Sequence, residues 1–398
     1  MSWELAINVR ESEHGNEVRK IANFENVEIQ SKYDSVASTF AVSFLYDASN
    51  QNHAEIAGVS HYHEAIISYI HEDGSKELVL TGYILSQKFT TKAEIELVSI
   101  GGYSKCGVIE DCDIPPSVYP LEFEGLTFAQ IARKIINPFA GKKGFSLIIG
   151  TSRANQDVKT PEETALEKAA DDDEYEKSTA PESKNIKSYL TDLAKQKNMV
   201  ISHTRKGDLI ISVANTESKP FLELDLDKPS FGVISATMMF NGQPMHSHIT
   251  MIRQADDEGG NAAEYTIRNP LCPVVYRPKV EQLTSGDDIT IEDSARNLLC
   301  EELKAITLTI EFSQIAFNNK LIAINNIIVV KSRKNYLYKK VRWFIESVNI
   351  SADASKQVAT VTCVLPWTYN YFAKGDNGKK GPQNVFIDPH KNLPSEVS

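Results

Sequence analysis

The sequence predicts a mainly β protein, with a β domain near each end and smaller mixed α+β domains between them. Three observations carry this. Apolar and polar residues alternate with period 2 at both ends, as in Ile306-Thr-Leu-Thr-Ile-Glu-Phe312, a pattern of strands buried on one face. Turn residues at Asp47–Asn50, Gly58 and Asp73-Gly74 punctuate the first hundred residues with no helical pattern between them. Helical spacing is confined to short segments nearer the middle, such as Phe128, Ile131, Ile135 and Ile136.

Residues 1–105 read as one β domain, with strands at 3–9, 25–31, 38–46, 63–71, 76–88 and 93–100. Many short strands without an intervening helix suggest a small barrel or sandwich. The most informative stretch runs from Thr81-Gly82-Tyr83 to Gly101-Gly102-Tyr103-Ser104-Lys105 and closes at Asp111-Cys112. It holds two alternating strands, and its glycine pair can take backbone angles closed to other residues. No nucleophile, metal cluster or phosphate loop falls within it.

From 106 to 215 the texture is α+β. Asp113-Ile-Pro-Pro-Ser is a linker, and Leu126–Asn137 is a helix with Thr127 as N-cap and Pro138 as stop. A strand follows at 145–149. Ile186, Leu190, Leu193 and Ala194 line a second helix. A hairpin then joins Met199–His203 to Leu209–Val213 through Lys206-Gly-Asp. Residues 154–183 are rich in acid and poor in apolar groups, so an exposed loop without stable order is expected. Strands return over 220–255, and a helix is expected at 291–304 after Arg277-Pro278-Lys-Val. Ile306–Phe312, the apolar run Leu321–Val330, Val341–Val348 and Gln357–Leu365 read as strands. The Gly-, Asn-, Lys- and Pro-rich segment 373–398 reads as a flexible tail.

A chain of 398 residues suggests roughly two to four domains. Its 41% apolar and 24% charged content fits a soluble protein with sizeable cores. No run of about 18 apolar residues exists, so no membrane span is expected. The start lacks a basic region followed by an apolar core, which argues against a secretory signal. Five cysteines, at 106, 112, 272, 300 and 363, form no Cys-x-x-Cys. A disulfide framework or zinc ribbon is not indicated, and the odd count fits a reducing cytoplasm. The net charge of −11 disfavours broad binding to nucleic-acid phosphates.

Candidate chemistry is sparse. His61-Tyr-His63-Glu64 places two imidazoles on one strand face, with His53 and His71 nearby, but no third ligand is evident. Met245-His-Ser-His248 repeats that spacing. A solvated strand edge is the preferred reading of both. Asp171–Glu174 lacks the rigid separation and burial that paired catalytic carboxylates need. Gly-x-Ser-x-Gly is missing, and Gly259-Gly260 has no Gly-Lys-Ser/Thr after it. Cys106 and Cys112 read as small apolar groups, and Trp3, Trp343 and Trp367 as core or interface anchors. The basic, aromatic stretch Lys331–Lys340 suits an acidic partner surface better than nucleic acid. No catalytic residue, metal ligand or cofactor is therefore assigned, and the chain reads as a non-enzyme.

Taken in order, these motifs resemble the baseplate central hub proteins of contractile phage tails, the bacteriophage Mu hub family. The resemblance rests on Thr81-Gly82-Tyr83, Gly101-Gly102-Tyr103-Ser104-Lys105 and Asp111-Cys112, then helix Leu126–Asn137 and the helix-and-hairpin Ile186–Val213. It continues through Arg277-Pro278-Lys-Val to the closing Val361-Thr-Cys-Val-Leu-Pro-Trp, over roughly residues 5–370. It implies two barrel-like tube domains plus two smaller mixed domains. The first tube domain is 1–105, and the second is 216–240 with 307–372. An inserted small domain occupies 241–306 and the α+β middle domain 106–215. It further implies a homotrimeric ring of pseudo-sixfold symmetry that joins the sixfold tail tube to the threefold central spike. DNA would pass through the lumen without specific binding. The implied partners are the central spike protein, the tail tube protein and other baseplate proteins, with the tape measure protein among the candidates. The implied location is the virion, after assembly in the host bacterial cytoplasm. Gly101-Gly-Tyr-Ser departs from the more usual Gly-Arg-Ser and lacks its arginine. The alternatives are a tail-associated cell-wall hydrolase, which would need a rigid carboxylate pair or zinc triad, and a glycan-binding module.

Overall fold

The computed structural model describes residues 2–386, except 13–14, 22–23, 60–61, 92–95, 120–121, 124, 142–143, 151–177, 180–184, 197, 229–231, 254–262, 273, 284–288 and 376–377. The first β region comprises β1 (Ser2–Ser12), β2 (Gly15–Ile21), β3 (Asn26–Lys32), β4 (Thr39–Leu45), α1 (Gln51–Ile56), β5 (Glu64–Ile70), β6 (Lys76–Thr91) and β7 (Glu96–Ser104). Strand β2 and helix α1 are additions to the sequence reading. Helix α1 forms where a plain turn is expected, because the Asn50 side chain accepts from Asn52 N–H and caps it, and Ile56 anchors it in the core.

The middle region follows with α2 (Val108–Asp111), β8 (Glu122–Phe123), α3 (Phe128–Ile136), β9 (Leu147–Ile149), β10 (Ser178–Thr179), α4 (Ile186–Gln196), β11 (Val200–His203) and β12 (Leu209–Ser212). Helix α3 starts at a reciprocal capping box between Thr127 and Gln130 and buries Phe128, Ile131, Ile135 and Ile136. Pro138 opens a 3-10 turn over Asn137–Phe139, so the α-helix ends at Ile136. Strand β9 pairs in parallel with β12, and β12 antiparallel with β11. Helices α3 and α4 pack on this small sheet through Phe128, Ile131, Leu190, Leu193, Leu209 and Ile211. Most of the acidic segment 154–183 lies outside the described residues. Within it, Ser178–Thr179 pairs with Glu122–Phe123.

The rest comprises β13 (Leu222–Asp225), β14 (Val233–Phe240), β15 (His248–Arg253), β16 (Ala263–Arg268), β17 (Pro278–Gln282), α5 (Ile291–Glu302), β18 (Ile306–Phe312), β19 (Ala316–Phe317), β20 (Lys320–Leu321), β21 (Ile327–Ser332), β22 (Leu337–Asp353) and β23 (Gln357–Val364). The apolar run Leu321–Val330 is not one strand. Asn325 turns the chain at φ +60, and β21 starts only at Ile327. Strands β16, β15 and β17 form a separate sheet, whose core with α5 is Ile249, Met251, Ile267, Leu283, Ala295 and Leu299.

The two β regions share one sheet. Its thirteen strands run β14-β18-β23-β22-β3-β4-β7-β6-β5-β1-β2, with β21 paired along the first half of β22 and β13 paired in parallel with β21. The join is the antiparallel pair β22–β3, from Ser347↔Lys32 to Asp353↔Asn26. The described strands make an open path rather than a closed barrel. One apolar cluster underlies both regions, from Leu5, Ile29, Phe44 and Leu80 to Leu308, Phe312, Trp343 and Val361. Each such side chain contributes about 1.5–3 kcal/mol by leaving water. Val385 and Phe386 are half-buried against this cluster, and residues 387–398 lie outside the described residues.

Candidate functional site

The motif residues of the first β region converge on one seam. Strands β6 and β7 pair Gly82↔Ser104, Tyr83↔Tyr103 and Ile84↔Gly102, with a bulge before Ser86↔Gly101. The glycines are required by close approach. A Cβ on Gly82 would lie 2.0 Å from the Tyr103 carbonyl oxygen, and one on Gly102 would lie 1.8 Å from that of Tyr83. Neither Gly101 nor Gly102 takes a left-handed φ, so the reason expected for that pair, unusual backbone angles, gives way to contact distance.

The middle-region hairpin docks on this seam. Gly207, at φ +84, faces the Thr81 carbonyl oxygen, where a Cβ would approach to 2.7 Å. Thr81 N–H donates to Arg205 O (2.8 Å), and Cys106 N–H donates to Gly207 O (3.1 Å). The Arg205 guanidinium pairs with Glu77 and donates to Leu78 O. Glu77 also accepts from Leu321 N–H (2.9 Å) and faces His71 Nε2 (2.9 Å). Burial alone would raise the Glu77 carboxyl; Arg205, the Leu321 amide and His71 together hold it below its usual value. One side chain thus ties three parts of the chain together.

Lys105 pairs with Glu64. Ser104 Oγ accepts from Ser38 N–H at 3.1 Å. Burial pushes the Cys106 thiol up to about 12, and it donates to Val36 O, so it is an inert packing group. Burial and the Asp111 carboxylate push the Tyr103 phenol up. Cys112 O accepts from Ile186 N–H and Asn185 Nδ2 (both 3.4 Å), seating the start of α4. Arg277 and Pro278 are not at the seam. Arg277 donates to Gly242 O (2.6 Å) and Gln243 O (2.7 Å), and Pro278 opens β17 beside His248. They tie the β15–β17 sheet to the end of β14.

A Ser–His pair invisible to sequence spacing lies next to the seam. His203 Nδ1 faces Ser35 O (2.9 Å), so Nδ1 carries the proton and Nε2 accepts from the Ser38 hydroxyl (2.5 Å). Ser31 in turn donates to Ser38 Oγ (2.7 Å). The cavity they line holds about 60 Å³, room for a water or two but not a substrate. Burial pushes His203 down to about 4. This geometry holds strands together rather than activating a nucleophile.

A pH dependence follows. Between its ordinary value of 6.5 and about 4, His203 stays neutral in the fold while the unfolded chain takes up a proton. Stability therefore falls as pH drops through that window. Thermal melts from pH 7 to 4 should show a shallower fall in Tm for His203→Gln; parallel curves would refute the assignment.

The remaining candidates disperse. His53 Nδ1 accepts from Asp47 N–H, His71 serves Glu77, and His61 lies outside the described residues. His246 bonds the buried Glu302 (2.6 Å), whereas His248 bonds Ser247. Among the described residues no three His, Cys, Asp or Glu side chains converge as metal ligands. Asp171–Glu174 and Gly259-Gly260 lie outside the described residues. Trp3 and Trp343 are buried, and Trp367 Nε1 donates to Ala373 O, so all three are core anchors. A larger cavity of about 340 Å³ opens between α4, α5 and residues 368–372. Arg296 already lies over its Phe372 ring (5.2 Å), and Lys195 and Glu301 pair on its lining (3.2 Å).

No protein-family model and no curated protein sequence matches the chain. Solved structures do. The 43 kDa tail protein of prophage MuSo2 from Shewanella oneidensis is 17% identical with a TM-score of 0.67, covering 92% of this chain and 99% of that one. A tail protein from Neisseria meningitidis is 16% identical at TM-score 0.68, covering 93% and 99%. An E. coli component of the type VI secretion system, itself similar in structure to bacteriophage tail proteins, is 11% identical at TM-score 0.51, covering 96% and 80%. Over nearly its whole length, the chain has the fold of phage tail proteins.

Proposed function

We propose that the chain is the central hub of a contractile phage-type tail. Three copies close into a ring of pseudo-sixfold symmetry that joins a sixfold tail tube to a threefold central spike and lets DNA pass. The observation that carries this reading is the single sheet through both β regions, with outer strands β2 and β14. Two β regions per chain and three chains supply six similar units. A head-to-tail contact between unlike edges closes a ring when the rotation allows it. Strand β14 exposes Ile234, Met239 and Phe240, and β2 exposes Val18. Exposed apolar edges invite pairing with another chain.

In this reading 1–105 is the first barrel-like tube domain, and 216–240 with 307–372 is the second. Residues 106–215 form the middle domain, 241–306 the inserted one and 373–398 the tail. Thr81–Tyr83, Gly101–Lys105, Asp111 and Cys112 lock the first tube domain to the middle domain, and Arg277 with Pro278 anchors the inserted one. The partners are the spike, the tail tube and other baseplate proteins, with the tape measure protein among the candidates, and the location is the virion. The similarity to a type VI secretion component, itself similar to phage tail proteins, supports a place in an injection machine. The work is done by shape and interface burial rather than by catalysis, and the net charge of −11 suits a lumen that DNA does not stick to.

Light scattering should give a mass near three times 44.3 kDa, alone or with the spike protein. Met239→Asp with Phe240→Asp should shift it toward one copy. A monomer under both conditions would overturn the hub reading.

A further inference from the structure

The hairpin between β21 and β22 is closed by Arg333-Lys334-Asn335-Tyr336. Residues 333–335 make one 3-10 turn, and Tyr336 completes it at φ +62. A bulky residue is strained there, because its Cβ crowds the backbone carbonyl. Among the other non-glycine residues described, this conformation falls to Asn198, Asn318, Asn319 and Asn325, and once more to a tyrosine, Tyr62. Burial does not offset the strain at Tyr336, a residue 43% exposed. It sits edge-on to Tyr338 at 5.3 Å. Strain kept without burial points to a role for the ring outside the fold.

The surrounding charge is also unusual. Residues 331–340 carry five cations and no acid, in a chain of net charge −11. Three of the cations are engaged at the base. Lys331 and Arg333 pair with Asp227 (3.4 and 3.0 Å), and Lys340 pairs with Glu223 (2.7 Å). Lys334 and Lys339 are exposed and enter no ion pair among the described residues. The tip is held in place. Asn335 Nδ2 donates to Ala236 O (2.9 Å), Ser332 Oγ donates to Asn335 Oδ1 (2.6 Å), and Arg333 N–H donates to Asp227 (2.8 Å). A knob fixed before binding loses little entropy on docking.

We infer that this hairpin tip is a docking knob for an acidic patch on a partner protein, with Tyr336 and Tyr338 as anchors and Lys334 and Lys339 as the charged rim. Tyrosine anchors ringed by cations suit a protein hot spot. Binding to nucleic acid draws on many phosphate contacts, which two uncompensated lysines do not supply. The inference stands independently of the hub reading.

The test is fluorescence anisotropy with a labelled poly-glutamate peptide and a labelled DNA duplex, at low and high salt. The peptide should bind the purified chain, and more weakly as salt rises. The Lys334→Glu, Lys339→Glu double variant should lose roughly tenfold or more in affinity. Tyr336→Asn should raise Tm, since asparagine tolerates the left-handed angle, and still lose peptide affinity. Absence of peptide binding, or binding unchanged in both variants, overturns the proposal. A lower Tm for Tyr336→Asn would make the ring a fold element. Tighter binding of the duplex would make the tip a nucleic-acid contact, and a changed native mass in the lysine variant would make the occupant a second copy.

Discussion

Replacing Gly102 by alanine should cost about 3 kcal/mol and lower the urea midpoint of unfolding sharply. The new methyl would sit 1.8 Å from the Tyr83 carbonyl oxygen and 3.0 Å from the Phe40 ring. Neither neighbour can yield cheaply. Tyr83 O is backbone of β6, and Phe40 belongs to β4 on the other side of β7. Relief requires β7 to move away from a strand that it pairs with, at the expense of ladder hydrogen bonds. Gly141→Ala is the matched control, since a Cβ there meets nothing within 4 Å. It should leave the midpoint unchanged or raise it slightly. Equal midpoints for Gly102→Ala and wild type would show that the seam is looser than described.

Trp343→Ala should cost about 3–5 kcal/mol, through lost burial and the cavity left behind. Trp343 is fully buried in the apolar cluster beneath both β regions, opposite Ile328 across β21–β22. Its loss should therefore weaken both regions together. Urea unfolding followed by far-UV circular dichroism should show the β signal lost in one transition at a lower midpoint. Two separated transitions, only one of them shifted, would mean that the shared core does not couple the regions.

Local rules made part of this legible in the sequence. Helix α3 was readable because its cap, its apolar spacing and its stop lie within a dozen residues of one another. Strand β18 was readable because it alternates strictly, and its burial follows the same pattern. Strand β2 was not, since Gly-Asn-Glu-Val-Arg-Lys-Ile carries mostly polar residues and pairs along an outer edge. The motif glycines stood out as unusual, but their reason lies in the Tyr83 and Tyr103 carbonyls across the β6–β7 pair. The links that assemble the seam were invisible. Arg205 and Glu77 are 128 residues apart, as are partners brought together only by the finished fold. Arg277 shows the converse: a motif residue placed on a different junction, holding backbone carbonyls that no spacing rule identifies.

The β22–β3 ladder also has a mechanical consequence. Seven successive residue pairs join the β regions from Ser347↔Lys32 to Asp353↔Asn26, and their hydrogen bonds lie across the strands. A pull along the strand direction therefore loads these bonds in shear, and they must yield together rather than peel one by one. The two β regions transmit load as a single stiff plate. The β15–β17 sheet joins this plate through residues 241–247 and 303–305, where Asn241 N–H donates to Ala305 O and Arg277 holds the Gly242 and Gln243 carbonyls.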